Sequence, residues 1–235
     1  MALPKLNAPR YEMTIPSTKN KVTFRPYLVK EEKILMLAME SGDEKQMVRA
    51  IKDVITECTE SSVDVETMTM FDMEYIFTQL RSKSVGEKTT IGLACQKCNA
   101  KNDVDIDLSQ VTVDTGSKKD NMIKLDDSLS LEMRYPSINN FLEAEVGSQN
   151  DVDKVFSLVG ACIKSVYMDS EVIDATTSSK QELKEFIESM SSAQFSKLKD
   201  YIESMPTAKL DVSFGCSHCS EHNEIEVKGL ANFFG

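Results

Sequence analysis

The sequence has no tryptophan, two histidines, six prolines and nine glycines in 235 residues. None of the glycines sits in a strand, Gly-rich turn, helix setting, which excludes a phosphate-cradling loop. The two histidines, His218 and His222, lie beside one cysteine pair, so a Ser/His/Asp arrangement elsewhere is excluded. No apolar run approaches the ~20 residues of a membrane span. The first ten residues lack the apolar stretch of a secretory signal. Positive charge is short as well: 27 Lys and Arg stand against 38 Asp and Glu, a net charge of -11. A general affinity for nucleic acid needs the opposite balance. The acidic residues are scattered over helix faces, as a solvated surface requires and paired general acids do not. No enzyme is expected from these residues.

Hydrophobic residues make up 41% of the chain, enough for a packed core. The length fits one large domain or two small ones. Six cysteines remain, and four of them fall in two copies of one phrase. The first is Ile91-Gly-Leu-Ala-Cys95-Gln-Lys-Cys98-Asn-Ala-Lys-Asn102-Asp-Val104-Asp-Ile106. The second is Val212-Ser-Phe-Gly-Cys216-Ser-His-Cys219-Ser-Glu-His-Asn223-Glu-Ile225-Glu-Val227. From Cys95 to Cys216 the offset is 121 residues, and it superposes the cysteine pair, one asparagine and the flanking apolar positions. Each copy reads as strand, Cys-x-x-Cys turn, strand. One such turn aims two thiolates at a point, and tetrahedral zinc takes four. Cys95, Cys98, Cys216 and Cys219 are therefore expected to form one structural zinc site, a ribbon split by a long insertion. Two disulfides or a redox dithiol are the alternatives. A redox Cys-x-x-Cys opens a helix, whereas here a strand follows, and nothing marks secretion. His218 and His222 could each replace a cysteine. Their counterparts in the first copy, Lys97 and Lys101, cannot, and this symmetry favours surface histidines. Cys58 and Cys162 stand alone in apolar-patterned segments and are expected to be buried.

The remaining chain predicts an α+β fold of helical units beside β-hairpins. Residues 1–28 read as an arm, residues 1–9, and a hairpin of Arg10–Ile15 with a strand through Val22 and Phe24. Residues 29–84 read as three helices: Lys30–Ser41 stopped by Gly42, a second capped by Asp43 and running to Cys58, and a third over 67–83. Met68, Met70 and Met73 are read as core filling in preference to a binding surface. Residues 85–114 carry the first knuckle. Residues 115–206 read as paired strands (122–125 and 129–135), helices over 141–146 and 152–164, a short strand at 166–168, a polar loop over 169–179, and helices over 180–190 and 193–205. Residues 207–235 hold the second knuckle and the tail 230–234. The whole is expected to form one compact domain.

The stretch Phe24-Arg-Pro-Tyr-Leu-Val-Lys-Glu-Glu-Lys-Ile-Leu-Met-Leu-Ala-Met-Glu40 resembles the baseplate proteins of T4-like contractile-tailed bacteriophages. That family includes hub components and hub-assembly factors of about this length. The resemblance implies a tail protein or assembly factor without enzymatic activity. It also implies synthesis in the host cytoplasm and docking to other tail proteins. It carries over no catalytic residue. A zinc-ribbon regulator that touches nucleic acid or a polymerase is the alternative. The acidic balance favours protein partners, and the apolar residues of the arm and tail are expected to contribute docking surface.

Overall fold

The computed structural model describes residues 7–115, 121–147, 150–169 and 171–229. The arm's residues 1–6 and the tail 230–235 lie outside the described residues, as does most of the loop expected at 115–120. The fold is α+β, with seven α-helices and small antiparallel sheets among the described residues. Tyr11–Thr14 (β1) and Lys21–Phe24 (β2) pair antiparallel. Met13, Ile15, Val22 and Phe24 point inward. Three helices follow. Val29–Ser41 (α1) is stopped by Gly42, whose φ of 64° lies in the left-handed region where a side chain would be strained. Glu44–Cys58 (α2) begins where the Asp43 carboxylate accepts the Lys45 N–H at 2.9 Å. Its buried set is Ala50, Ile51, Val54, Ile55 and Cys58, at helical spacing. Met70–Ser84 (α3) buries Phe71, Met73, Ile76, Phe77 and Leu80, and Met68 just before it is buried too.

An ion pair fixes the start of α1. Glu31 is 1% exposed, and its carboxylate accepts from the Arg25 guanidinium at 2.8 Å and from the Leu28 N–H at 2.8 Å. Lys30 lies 3.0 Å from the same carboxylate. Arg25 also donates its backbone N–H to the carbonyl of Cys58, the last residue of α2. One arginine thus ties the hairpin to two helices.

Two long strands, Lys88–Ala94 (β3) and Lys101–Asp107 (β4), form the first knuckle hairpin. Thr112–Val113 (β5) follows a 3-10 turn. The next strands are Met122–Lys124 (β6) and Leu129–Met133 (β7). Two helices come next, Ile138–Gly147 (α4) and Asp151–Cys162 (α5). Then come Ile163–Met168 (β8), Glu171–Asp174 (β9), and the helices Lys180–Glu188 (α6) and Ser192–Glu203 (α7). Ala208–Gly215 (β10) and His222–Lys228 (β11) make the second knuckle hairpin. The sheets run β1-β2, β3-β4, β11-β10-β5 and β6-β7-β8-β9.

The chain divides into two compact units. The first takes Met1–Val65, Phe71–Asp114 and Thr207–Gly235; the second takes Glu66–Met70 and Thr115–Pro206. The second has its own core of Leu131, Met133, Val159, Cys162, Ile163 and Leu198. The knuckle hairpins of the first share another, including Ile91, Val104, Ile106, Leu210, Val212 and Val227. No helix among the described residues is long and apolar enough to cross a membrane.

Several expectations change. The run 169–179, read as a loop, contains β9 and a 3-10 turn over Ala175–Thr177. All four residues of β9 are exposed, so no buried face leaves an apolar alternation to read. The helix expected to reach Lys164 stops at Cys162, because Ile163 and Lys164 already belong to β8. Ile138 rather than Phe141 starts α4, and Met70 rather than Thr67 starts α3. On α1, Leu35 and Ala38 are buried while Ile34 and Leu37 are not.

Burial by itself would raise the Glu31 carboxyl, but bonds from Arg25, the Leu28 N–H and Lys30 outweigh it and hold the pKa at about 2. A carboxyl depressed on folding adds stability that is full above its unfolded pKa. That stability drains as pH falls toward the folded value. Glu31→Gln should therefore cost about 3 kcal/mol near neutral pH, having broken a buried pair. The gap between variant and wild type should close between about pH 4.5 and 2, as urea unfolding across that range would show.

Candidate metal centre

Each knuckle is a hairpin whose turn brings a cysteine pair to its tip. In the first, the Cys95 N–H donates to the Ala100 carbonyl at 2.9 Å and the Asn99 N–H to the Cys95 carbonyl at 2.9 Å. In the second, the Cys216 N–H donates to the Glu221 carbonyl at 2.8 Å and the Ser220 N–H to the Cys216 carbonyl at 2.9 Å. Asn99 and Ser220 both turn through the left-handed region, at φ 56° and 57°. These positions correspond one for one in the two phrases. The sequence repeat is thus a repeat of backbone geometry.

The two tips face each other. Cys95 Sγ lies 3.7 Å from Cys219 Sγ, and Cys98 Sγ lies 3.7 Å from Cys216 Sγ. All four sulfurs lie within 4.8 Å of one another. A tetrahedron with metal–sulfur bonds of about 2.3 Å has edges of about 3.8 Å, so this spacing is compatible with a metal site. Cys95 and Cys216 are buried, Cys219 is half-buried and Cys98 exposed. His218 and His222 are exposed and stand outside the four-sulfur group. Lys97 reaches across the tips to Glu221 at 2.6 Å.

The electrostatics of the four thiols are uneven. The backbone N–H groups of Cys219 and His218 draw Cys216 down to about 6. The Cys98 N–H also lowers Cys95. Cys219 gains from a backbone bond at Glu221, yet burial and the three neighbouring thiols push it up to about 12. Four thiolates need a cation among them.

The repeated asparagines, to which sequence reasoning gave no role, cross between the hairpins. Asn102 Oδ1 accepts the Ser217 N–H at 2.9 Å, and Asn223 Oδ1 accepts the Gln96 N–H at 2.9 Å. Ser217 and Gln96 each follow the first cysteine of the opposite pair. Their place in both phrases was the available signal. Cys58 and Cys162 are buried far along the chain from either knuckle phrase, and burial raises them to about 11 and 12.

A family model described as T4 bacteriophage base plate protein matches residues 8–235. The chain belongs to that family. The match covers nearly all of the sequence, including the Arg25–Glu31 pair and both knuckles. Comparisons with curated proteins and with solved structures return no match. The family places the chain among phage tail proteins, whose members are generally structural.

Proximity of the sulfurs can be read chemically. Mild diamide oxidation after chelation should form disulfides among Cys95, Cys98, Cys216 and Cys219, including links between the two pairs. Cys58 and Cys162 should remain thiols. Peptide mapping by mass spectrometry checks this, and oxidation confined within each Cys-x-x-Cys would contradict the facing arrangement.

Proposed function

We propose that this baseplate protein is a non-enzymatic hub component or hub-assembly factor that docks other tail proteins and holds one structural zinc. Four sulfurs within 4.8 Å of one another, two pairs of them 3.7 Å apart, support the metal half of this reading. Cys95, Cys98, Cys216 and Cys219 are its ligands. An all-thiolate tetrahedral set suits zinc and leaves no open position for a substrate or water. The metal supplies a covalent tie between hairpins distant in sequence, and metal binding is then folding energy.

The surface of α1 supports the docking half. Val29 is 79% exposed, Met39 61%, Met36 57% and Leu37 56%. Leu28, the residue before α1, and Ile34 are exposed as well. Apolar patches left in water mark interaction sites, and methionines adapt to varied partners. The regulator alternative lacks support at the knuckles. Lys97 is paired with Glu221, and Lys209 and Lys228 with Glu226, so carboxylates interrupt any basic stripe there.

Metal analysis should give about one zinc per chain. Chelation should lower the melting temperature by about 10 °C or more, equivalent to roughly 3 kcal/mol or more at this size. Cys216→Ser should do the same and abolish the chelator's effect, whereas Cys162→Ala should leave that effect intact. Equal melting temperatures with and without chelator would rule out the structural zinc.

For docking, Met36→Glu combined with Met39→Glu should leave the melting temperature within a few degrees of wild type. It should fail to restore baseplates when supplied to a phage lacking this protein. Normal baseplates from the double variant would remove α1 from the interface. Cross-linking of assembling baseplates should join the wild-type chain to hub proteins rather than to peripheral ones.

A further inference from the structure

The two asparagines do more than fill equivalent places in a repeat. Asn102 is 6% exposed and Asn223 is 0% exposed. A buried primary amide has one acceptor and two donors to satisfy. Asn102 spends its Nδ2 on the Ala100 carbonyl at 2.8 Å and on Cys216 Sγ at 3.7 Å, while Oδ1 accepts from the Ser217 backbone N–H and from its hydroxyl at 2.9 Å. Asn223 donates to the Glu221 carbonyl at 3.0 Å and accepts the Gln96 N–H at 2.9 Å. Each asparagine therefore leaves its own hairpin and holds the first cysteine of the other. The amide cannot be turned over, since two N–H groups would then oppose the backbone N–H of Ser217 or Gln96.

We infer that Asn102 and Asn223 are positioning residues of the metal centre: each sets the opposite hairpin's first cysteine through the backbone N–H that follows it, and Asn102 also donates to the Cys216 sulfur. The inference rests on the zinc reading above. Its physical content is twofold. The crossed amides link the tips through bonds within the chain, so the sulfurs are held within 4.8 Å of one another by the protein itself. Four thiolates around Zn²⁺ also carry a net charge of about -2, and an N–H aimed at sulfur disperses part of it in a buried place. At position 102 asparagine supplies both functions. Aspartate keeps the acceptor, loses the donor and adds negative charge beside the thiolates. Alanine loses both.

The test compares Asn102→Ala, Asn102→Asp, Asn223→Ala and Asn223→Asp with wild type and with Leu210→Ala. The last removes core packing from the same strand as the second knuckle without touching an amide. Zinc affinity is read by chelator competition, and the site's geometry by the cobalt(II) spectrum of the substituted protein. Each asparagine variant should bind zinc about 10- to 100-fold more weakly, and aspartate at least as weakly as alanine. Cobalt should still report a tetrahedral tetrathiolate site, but one that loses metal faster. Leu210→Ala should melt earlier yet keep its zinc affinity within about threefold. Asn102 is the less buried of the two, and it carries the test if Asn223→Ala fails to fold. Asparagine variants that bind zinc as tightly as wild type would overturn the positioning role and leave the metal site standing. A wild-type chain that takes up neither zinc nor cobalt would overturn the metal reading, and this inference with it.

Discussion

Two cysteine pairs separated by 121 residues have to meet at one point, and much of the first unit is arranged to let them. Each pair rides on the tip of a hairpin, where the ladder of strand bonds fixes its direction. The hairpins in turn share a core, so packing of Ile91, Val104, Leu210 and Val212 brings the tips together. Closing a long loop is entropically expensive, but the cost grows only slowly with length. A hundred inserted residues are tolerable if they do not strain the closure. Several independent contacts enforce the meeting: the shared apolar layer, the crossed asparagines and the Lys97–Glu221 bridge.

A second polar device explains why the chain is recognisable at its other end. The residues that carry the family likeness include Arg25 and Glu31, and these form the buried pair at the start of α1. Once Glu31 is desolvated, its charge needs a cation, and the carboxylate stands where the helix begins so that it can also cap the Leu28 N–H. The Phe-Arg-Pro and Lys-Glu-Glu-Lys segments are thus two halves of one structural contact. In this structure those segments join the hairpin to α1 and α2.

Legibility followed the buried faces. The knuckles could be read because metal-binding geometry imposes a strict spacing and because the phrase occurs twice. The hairpin β1-β2 showed through Met13, Val22 and Phe24, which alternate toward the core. Asp43 and Gly42 marked the ends of two helices by local chemistry. Where burial gives no pattern, reading failed. Strand β9 exposes every residue and owes its place to backbone pairing with β8 in a tight hairpin, which leaves no apolar pattern to read. At Cys162 the chain passes from helix to strand without a glycine or proline, and only the pairing of Ile163 with Met133 marks the change. The apolar residues of α1 were ambiguous for the opposite reason. Both its buried and its exposed faces carry leucine or methionine, so periodicity could not tell core from surface. The asparagines repeated in plain view, but their partners lie across a gap of more than a hundred residues, and sequence spacing alone does not assign such bonds.

The place where the insertion leaves and returns shows how a split ribbon remains one ribbon. Strand β5 is two residues long, yet it pairs with the start of β10: Val113 with Ala208 and Thr112 with Lys209. The chain departs after Asp114 and comes back at Thr207, so exit and entry sit side by side on adjacent strands. Ala208 is fully buried there, its N–H donating to the Glu74 carboxylate at 3.3 Å and its carbonyl accepting from Gly229 at 3.1 Å. The strand before the insertion and the strand after it therefore belong to one sheet, β11-β10-β5. Between these strands, residues 115–206 build a separate core around Leu131, Val159 and Leu198. An insertion that starts and ends at one point and buries its own apolar surface puts little strain on its host. The four cysteines are then set within their own unit, by the hairpins, the apolar layer they share, the crossed asparagines and the Lys97–Glu221 bridge.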